Sequence, residues 1–329
     1  MESFTKKQVC RICDYSGIMP TYIAKDNHFG LNEEFFYFEC PECLTLQIES
    51  IPEDISKYYP QGYYSKFSFT SNPLKDFIKK QWYKSYKSKY NPVSALFRLL
   101  FGELPFNVWL KRIKIDPNDS VLDVGSGAGI LLYHMNLAGF NNLTGIDPFI
   151  NYSIIYSDEL RIIKGNLRDL IEKNKSYKLI IFNYSFEHLE NPLDVLVNSR
   201  ILQNPSDYLI LRIPISKSYA WEKYGTNWSN LDAPRHFHIL SEKAVSILAQ
   251  KSNYKIEQVV YDSTDFQFYL SELYKNGIPY TATKFGSKNP MKDFRHIVSA
   301  KAQREFKHLA VKLNSQRKGD QATFYLRAI

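Results

Sequence analysis

The 329-residue sequence predicts an α/β fold built on a mostly parallel sheet. An apolar strand pattern, Val121-Leu-Asp-Val124, runs into a turn with three glycines and then into apolar residues at helical spacing. Beyond this unit, strand patterns alternate with helical ones along most of the remaining chain. That alternation is typical of a parallel sheet with right-handed crossovers.

The four cysteines near the N-terminus form two Cys-x-x-Cys pairs, Cys10 with Cys13 and Cys40 with Cys43. Two such knuckles supply four thiolates, which is the ligand set of a structural zinc site. Two disulfides are the alternative. The sequence has no run of roughly 18 apolar residues and no apolar signal-peptide core, so we expect a cytoplasmic protein, in which disulfides are rare. The pairs therefore favour a zinc ribbon.

A basic segment with many aromatic residues lies between residues 57 and 114 and contributes most to the net charge of +8. Three interpretations stay open for it. The first is a solvated helical face, the second is an electrostatic attractor for a phosphate-bearing substrate, and the third is an RNA-binding surface. We expect a small-molecule or glycan-precursor substrate and no nucleic-acid partner. The absence of an apolar span leaves only peripheral membrane contact open.

The glycine turn, with Gly125, Gly127 and Gly129, predicts a ligand site. Glycine lets the backbone turn sharply and leaves room for a ligand where a Cβ would intrude. The helix pattern from Ile130 to Ala138 then points its free N–H groups at that ligand. A second strand pattern ends in Asp147, about 20 residues after the turn, where βαβ nucleotide sites place the residue that binds the ribose.

The later elements follow in the same alternation. Strand patterns occupy Arg161–Gly165, Tyr254–Tyr261 and Gln321–Ile329. Helix patterns occupy Asn191–Gln203, with Asn191 as the N-cap and proline at the first helical position, and Ser241–Gln250, with Ser241 as the N-cap.

The spacing of the glycine turn favours S-adenosylmethionine (SAM) over a dinucleotide. Dinucleotide sites typically show G-x-G-x-x-G, whereas here Asp123 precedes G-x-G-x-G. This pattern resembles motif I of the class I SAM-dependent methyltransferases. Tyr177–Tyr184 resembles the fourth strand of that family, Ser185–Pro192 resembles its Glu-His segment, and Asp207–Pro214 resembles its fifth strand.

The resemblance implies a Rossmann-like class I methyltransferase fold with a seven-stranded, mostly parallel sheet, and SAM as the cofactor. An acid beside the glycine turn suits the ammonium and sulfonium charges of SAM. The last strand of the family inserts beside its fifth strand. The residues expected to bind SAM are Asp123, Gly125, Ser126, Gly127, Gly129, Asp147, Pro148, Asn166, Leu167, Asn183 and Tyr184.

We therefore expect three regions along the chain. Residues 1–70 form the zinc ribbon and an aromatic loop, and residues 71–115 form a basic helical linker that covers the cofactor site as a lid. Residues 116–329 form the SAM-dependent methyltransferase domain, with an insertion at about 262–320.

Two segments at the carboxyl edge of the sheet offer catalytic histidines. Methyl transfer to a hydroxyl group benefits from a base with a pKa near 7, and histidine fits that need. His188 follows the fourth strand, and His236 lies in a long polar segment after the fifth strand. Either is the predicted base, although His188 could instead cap the next helix or pack under the cofactor. The other residues expected to face the substrate are Trp228, Asp232, Arg235 and His238, unless Arg235 only pairs with Asp232.

The run Asp232-Ala-Pro-Arg-His236 closely resembles a signature of methyltransferases from bacterial surface-polysaccharide gene clusters. It implies O-methylation of a sugar in a surface-polysaccharide or nucleotide-sugar precursor. C- or N-methylation of another small molecule is the alternative. We expect O-transfer because related sugar C-methyltransferases carry a further C-terminal domain, for which this sequence is too short. An adaptor for nucleic acid or protein, with a degenerate SAM domain, is the non-enzymatic alternative, and the intact Asp123 and Asp147 argue against it.

Overall fold

The computed structural model describes residues 3–59, 105–280 and 298–329, which fold as two compact units. The first unit draws on Met1–Pro60, Phe186–Leu196 and Leu211–Leu326, and the second on Gln61–Ser185, Val197–Ile210 and Arg327–Ile329. Most of the expected lid at 71–115 and of the basic aromatic segment lies outside the described residues. The expected region boundaries at 70 and 116 therefore stay predictions.

The described residues form strands and helices that we number in chain order. The strands are β1 (Ser3–Val9), β2 (Ser16–Asp26), β3 (Leu31–Glu39), β4 (Leu46–Ile48), β5 (Val121–Val124), β6 (Leu143–Asp147), β7 (Ile154–Ser157), β8 (Leu160–Lys164), β9 (Leu179–Asn183), β10 (Tyr208–Pro214), β11 (His238–Ile239), β12 (Tyr254–Tyr261) and β13 (Gln321–Ala328). The α-helices are α1 (Pro105–Leu110), α2 (Ile130–Leu137), α3 (Leu167–Ile171), α4 (Pro192–Ile201), α5 (Tyr219–Tyr224), α6 (Glu242–Lys251), α7 (Phe266–Lys275) and α8 (Ala300–Ser315). Short 3₁₀ helices occupy Ile55–Tyr58, Phe186–His188, Gly225–Asn227 and Ser229–Leu231.

The first unit contains an antiparallel sheet in the order β1–β2–β3–β4–β11. Its last strand comes from the segment after β10, and His238 and Ile239 pair with Gln47 and Leu46 of β4. Side chains of this N-terminal sheet share one buried core with Trp221, Trp228 and Phe237. The ribbon is therefore part of a larger unit, which the sequence did not indicate.

The second sheet has eight strands in the order β12–β13–β10–β9–β5–β6–β8–β7. Strands β9, β5, β6 and β8 run parallel, and their apolar residues are buried because helices cover parallel sheets on both faces. The prediction that the last strand lies beside the fifth is confirmed by the order β13–β10. The prediction of seven strands was wrong, because β7 adds an antiparallel edge strand beside β8. Four residues at a sheet edge carry little periodicity, so the sequence pattern did not reveal it.

Two helices begin at the residues where the sequence predicts their start. The Ser241 side chain accepts a hydrogen bond from the Ala244 N–H at 3.0 Å at the start of α6, and Pro192 is the first residue of α4. The described part of the expected insertion at about 262–320 contains α7 and α8. Among the described helices, none has the length and apolarity that a bilayer crossing needs.

The glycine turn connects β5 to α2 and is tied to the neighbouring strands. The Gly125 N–H donates to the Ile146 carbonyl at 2.8 Å, and the φ angle of Gly125 is +74°. A Cβ on Gly125 would lie 2.4 Å from the Ser185 Cβ, whereas a Cβ on Gly127, at φ +53°, would meet no described atom within 4 Å. At position 125, glycine is required both by the positive φ angle and by the lack of room for a Cβ beside Ser185. At position 127, only the positive φ angle requires it.

This difference predicts unequal effects of two alanine substitutions on stability. Gly127→Ala should lower the free energy of unfolding by about 1–2 kcal/mol, which is the cost of a left-handed conformation for a residue with a Cβ. Gly125→Ala should lower it by a further 1 kcal/mol or so, because Ser185 must also move. Urea unfolding of both variants measures the difference. Equal losses would contradict the close approach of Gly125 to Ser185.

Candidate active site and candidate metal centre

The expected SAM residues lie at the carboxyl ends of adjacent parallel strands in the second unit. Asp147 ends β6, and its carboxylate connects two loops. One oxygen accepts the Gly127 N–H at 2.8 Å, and the other accepts the Phe149 N–H at 2.8 Å. Asp147 therefore holds the glycine turn in place, and each oxygen retains a lone pair for a ligand hydroxyl.

Asp123 lies next to this site as a buried acid. Burial, reinforced by the negative charge of Asp147, raises the pKa of Asp123 to about 8. A carboxyl group with this environment is stabilised in its charged form when a cation binds beside it. The position therefore suits a positively charged ligand group.

The remaining expected SAM residues stand around the same strand ends. Asn166 follows β8 and caps α3, since its side chain accepts the Arg168 N–H at 2.9 Å. Leu167 is the first residue of that helix and is buried. Asn183 ends β9, and Tyr184 follows it with a φ angle of +54°. Ser126 belongs to the glycine turn, and Pro148 follows β6 directly.

In the first unit, the four cysteines converge. The Sγ atoms of Cys10 and Cys43 are 3.5 Å apart, those of Cys13 and Cys40 are 3.6 Å apart, and all four lie within 4.8 Å of one another. No disulfide joins them. Four sulfurs on a tetrahedral zinc ion, with Zn–S bonds of about 2.3 Å, would stand roughly 3.8 Å apart. The separations therefore fit a zinc ion.

The two cysteine pairs sit on equivalent backbone turns. In the first, the Asp14 N–H donates to the Cys10 carbonyl at 3.0 Å, and Asp14 has a φ angle of +63°. In the second, the Leu44 N–H donates to the Cys40 carbonyl at 2.9 Å, and Leu44 has a φ angle of +61°. The Gln47 amide also donates to the Cys10 sulfur at 2.9 Å, a contact that favours a thiolate.

Arg235 is the centre of a buried ion-pair network in this unit and is 1% exposed. Nη1 and Nη2 donate to the two Asp26 oxygens at 3.0 and 2.9 Å. Nε and Nη2 donate to the two Asp232 oxygens at 3.0 and 2.7 Å. The last N–H, on Nη1, donates to the Tyr58 carbonyl at 3.2 Å. All five donors of the guanidinium are therefore used within the protein.

This network bears on the residues expected to face a substrate. Arg235 pairs with Asp232, as in the alternative raised above, and it has no donor left for a ligand. Burial opposes ionisation of Asp232, but the Arg235 charge and hydrogen bonds overcome burial and hold its pKa well below the usual range. Trp228 is buried in the core and donates to Asp320 at 3.0 Å. Both ring nitrogens of His238 are also engaged, with Arg11 Nε and the Leu189 carbonyl, each at 3.1 Å.

Unlike His238, His188 and His236 each have one ring nitrogen without a hydrogen bond to the described residues. Nδ1 of His188 lies 2.8 Å from the Arg235 carbonyl and 3.3 Å from the Tyr59 hydroxyl. Nδ1 of His236 lies 2.8 Å from the Asn230 carbonyl. A carbonyl oxygen only accepts, so Nδ1 carries the proton in both rings and Nε2 keeps its lone pair. The ring centroids are 4.7 Å apart.

Glu187 lies beside these rings and is 1% exposed. Neither of its carboxylate oxygens has a hydrogen-bond partner among the described residues. One of them is 3.9 Å from His236 Nε2. Burial raises the pKa of Glu187 to about 8, against the smaller opposing effect of the Phe186 and Glu187 backbone N–H groups. Burial also lowers the pKa of His188 and, to about 3, that of His236, so His236 lacks the pKa near 7 expected of a base. All three groups are therefore uncharged at neutral pH in the absence of a ligand.

Sequence patterns indicated the histidines but not their partners. Asp26 lies 209 positions from Arg235, and Asn230 and Tyr59 carry no motif. Such contacts have no local signature, so only the folded chain identifies them.

Comparison with known proteins identifies the family of this chain. Residues 95–259, just over half of the chain, match the family model described as "Methyltransferase domain". The chain is 24% identical over 226 residues to the ubiquinone biosynthesis O-methyltransferase of Rickettsia bellii, an alignment that covers 62% of this chain and 91% of that protein. It is 25% identical over 161 residues to EEF1A lysine methyltransferase 2 of Danio rerio, covering 42% and 69% of the two chains.

A solved structure of a SAM-dependent methyltransferase from Archaeoglobus fulgidus aligns with a TM-score of 0.43 and 17% identity, over 71% of this chain and 99% of that one. The strand order described above is that of a Rossmann-like class I methyltransferase, now with eight strands. With the family match over half of its length, the chain belongs to the methyltransferase domain family and is a SAM-dependent methyltransferase.

Proposed function

We propose that this protein transfers the SAM methyl group to a hydroxyl group of a sugar in a surface-polysaccharide or nucleotide-sugar precursor. The observation that carries the proposal is the pair of buried histidines, each with Nδ1 bound to a carbonyl and with the Nε2 lone pair left for another interaction. A hydroxyl acceptor needs such a group, since its proton must leave during methyl transfer. The likeness of Asp232–His236 to polysaccharide-cluster methyltransferases supports the sugar.

In this proposal the residues divide into a cofactor set and an acceptor set. Asp147 binds the ribose hydroxyls of SAM, Asp123 stabilises its positive charge, and Asn166 and Leu167 lie at the adenine. Glu187 and His188 follow shortly after β9 in the chain. The residues proposed to meet the acceptor therefore begin just after Asn183 and Tyr184, which are proposed to bind SAM. The histidine pair promotes loss of the acceptor proton, while Arg235 keeps the segment that carries His236 in place.

Mass spectrometry of the labelled product tests the proposed acceptor. The protein is incubated with methyl-labelled SAM and an extract of sugar nucleotides and lipid-linked glycans, and the labelled molecules are identified. We expect the label on a sugar oxygen. A label on a carbon or nitrogen of another small molecule would replace the proposal with C- or N-transfer, and N-transfer would accord with the lysine methyltransferase among the relatives.

Loss of the Asp147 carboxylate should weaken SAM binding. Asp147→Ala removes the proposed charge-assisted hydrogen bonds to the ribose and the anchor of the Gly127 N–H, which together should cost roughly 2–4 kcal/mol of binding free energy. Isothermal calorimetry measures it. Asp158→Ala, an exposed acid on the β7–β8 turn of the same unit, is the control and should bind SAM normally. Unchanged affinity in Asp147→Ala would refute the assignment.

SAM binding should release a proton near neutral pH. Burial and Asp147 raise the pKa of Asp123 to about 8, so the free carboxyl group is mostly protonated at pH 7. The cation of SAM favours the ionised form, and affinity should therefore rise with pH up to about 8, by at most tenfold per unit. Calorimetry at pH 7 in buffers of different ionisation enthalpy counts the released protons. Asp123→Asn should release none, and equal release by both proteins would contradict this role.

The four cysteines should hold one structural zinc ion per chain, because four protein ligands complete its tetrahedral shell. Protein purified without chelator should lose one equivalent of zinc on Cys43→Ala. Glu42→Ala changes an exposed side chain between two cysteines of the same knuckle and should retain that equivalent. Elemental analysis makes the comparison, and wild-type protein without zinc would rule out the site.

Alanine substitution of each histidine in turn measures how much each contributes to turnover. His236→Ala or His188→Ala should lower kcat by about 10²–10⁴-fold, without change in SAM affinity. The larger loss identifies the histidine closer to the acceptor proton. His308→Ala on α8, an exposed position, should turn over normally. Near-normal kcat in both test variants would mean that the acceptor proton leaves by another route.

A further inference from the structure

Three side chains of the first unit meet in the arrangement of a metal site. One ligand atom from each of Glu187, His188 and His236 lies within 4.8 Å of the other two. Histidines that bind metals donate Nδ1–H to a carbonyl or carboxylate and offer Nε2 to the ion. His188 and His236 are held in this way by the Arg235 and Asn230 carbonyls. Their orientation is therefore set before any ion binds.

The Glu187 carboxyl group gives an independent indication of a ligand. It is almost completely buried, and neither oxygen has a hydrogen-bond partner among the described residues. Burial of a polar group without a partner is destabilising. Buried acids of this kind persist where a bound group supplies the missing interaction.

The surroundings of His236 Nε2 point to a cation in particular. This atom lies 3.9 Å from a Glu187 oxygen and 3.8 Å from an Asp232 oxygen. Nδ1 carries the proton, so the Nε2 lone pair faces the Asp232 carboxylate and an oxygen of Glu187, and a positive charge placed between these atoms would interact favourably with all of them. Bonds of about 2.1 Å to a shared ion are compatible with a separation of 3.9 Å. Asp232 is committed to Arg235 and would add negative charge without coordinating.

We propose that Glu187, His188 and His236 bind one divalent transition-metal ion through a carboxylate oxygen and two Nε2 atoms. Two imidazoles and one carboxylate suit zinc, iron or cobalt, whereas magnesium and calcium prefer oxygen ligands alone. This site differs from the cysteine cluster, whose four sulfurs leave no position open. Three protein ligands leave the ion free to take a further oxygen.

A catalytic role for this ion rests on the proposed function, whereas the binding of the ion does not. A substrate hydroxyl on the ion would become more acidic. Its O–H bond breaks, the proton leaves to solvent, and the oxygen lone pair forms the new C–O bond as the C–S bond of SAM breaks. The products are the methyl ether, S-adenosylhomocysteine and one proton. The histidines then act as ligands, so their loss would lower kcat through the ion.

Metal binding by the full chain tests the site without an acceptor. Protein that holds a single equivalent of zinc, which the four thiolates select, is titrated with Co²⁺, and bound metal is counted after desalting. Wild-type protein should hold one cobalt beyond the zinc of the cysteine cluster. Glu187→Gln and His236→Gln should bind this cobalt at least tenfold more weakly and keep the zinc, whereas His308→Ala should behave as wild type.

If a variant fails to fold, X-ray absorption spectroscopy of the wild-type protein still tests the site, because it identifies the atoms bound to cobalt. Nitrogen and oxygen neighbours alone are expected. Sulfur neighbours, no second equivalent, or normal cobalt affinity in a folded Glu187→Gln variant would each overturn the metal site. Binding of cobalt by a protein that methylates no sugar would overturn the proposed acceptor and leave the metal site intact.

Discussion

The first unit depends on one buried charge, the Arg235 guanidinium. A buried cation is stable only with well-placed counter-charges, and here two carboxylates supply them, Asp26 at the end of β2 and Asp232 three residues before Arg235. Loss of either acid would leave two of the five guanidinium N–H groups without their acceptors inside the protein. The backbone carbonyl of Arg235 also accepts the Nδ1–H of His188. The residue that connects the ribbon to the later segment thus orients a proposed catalytic histidine.

Other contacts extend this connection from the ribbon to the histidines. The Tyr37 hydroxyl of β3 donates to the His236 carbonyl at 2.8 Å, and β11, two residues further along, completes the ribbon sheet beside β4. Arg11, inside the first cysteine knuckle, donates to His238. A zinc ion on the cysteines would therefore act at a distance, because it stabilises the sheet against which the histidine segment is built.

Each unit contains a buried acid whose pKa is raised to about 8, Asp123 in one and Glu187 in the other. Burial opposes the charged form in both cases, and a bound cation would restore it. For Asp123 we propose that the cation is the positive charge of SAM, and for Glu187 we infer a metal ion. Such groups lower stability in the free protein and are retained where binding needs them.

The sequence by itself determined the features that depend on neighbours in the chain. The glycine turn, Asp147 and the two Cys-x-x-Cys pairs need only local backbone geometry, and the parallel sheet follows from the alternation of elements. Tertiary structure alone decided the partners that lie far apart. It placed Arg235 on Asp26, buried Trp228 against Asp320 and added β7 to the sheet edge, and within the described part of the chain it left the Glu187 carboxyl oxygens without a hydrogen-bond partner. Those outcomes depend on which side chains meet after folding, and no periodicity or spacing encodes such meetings.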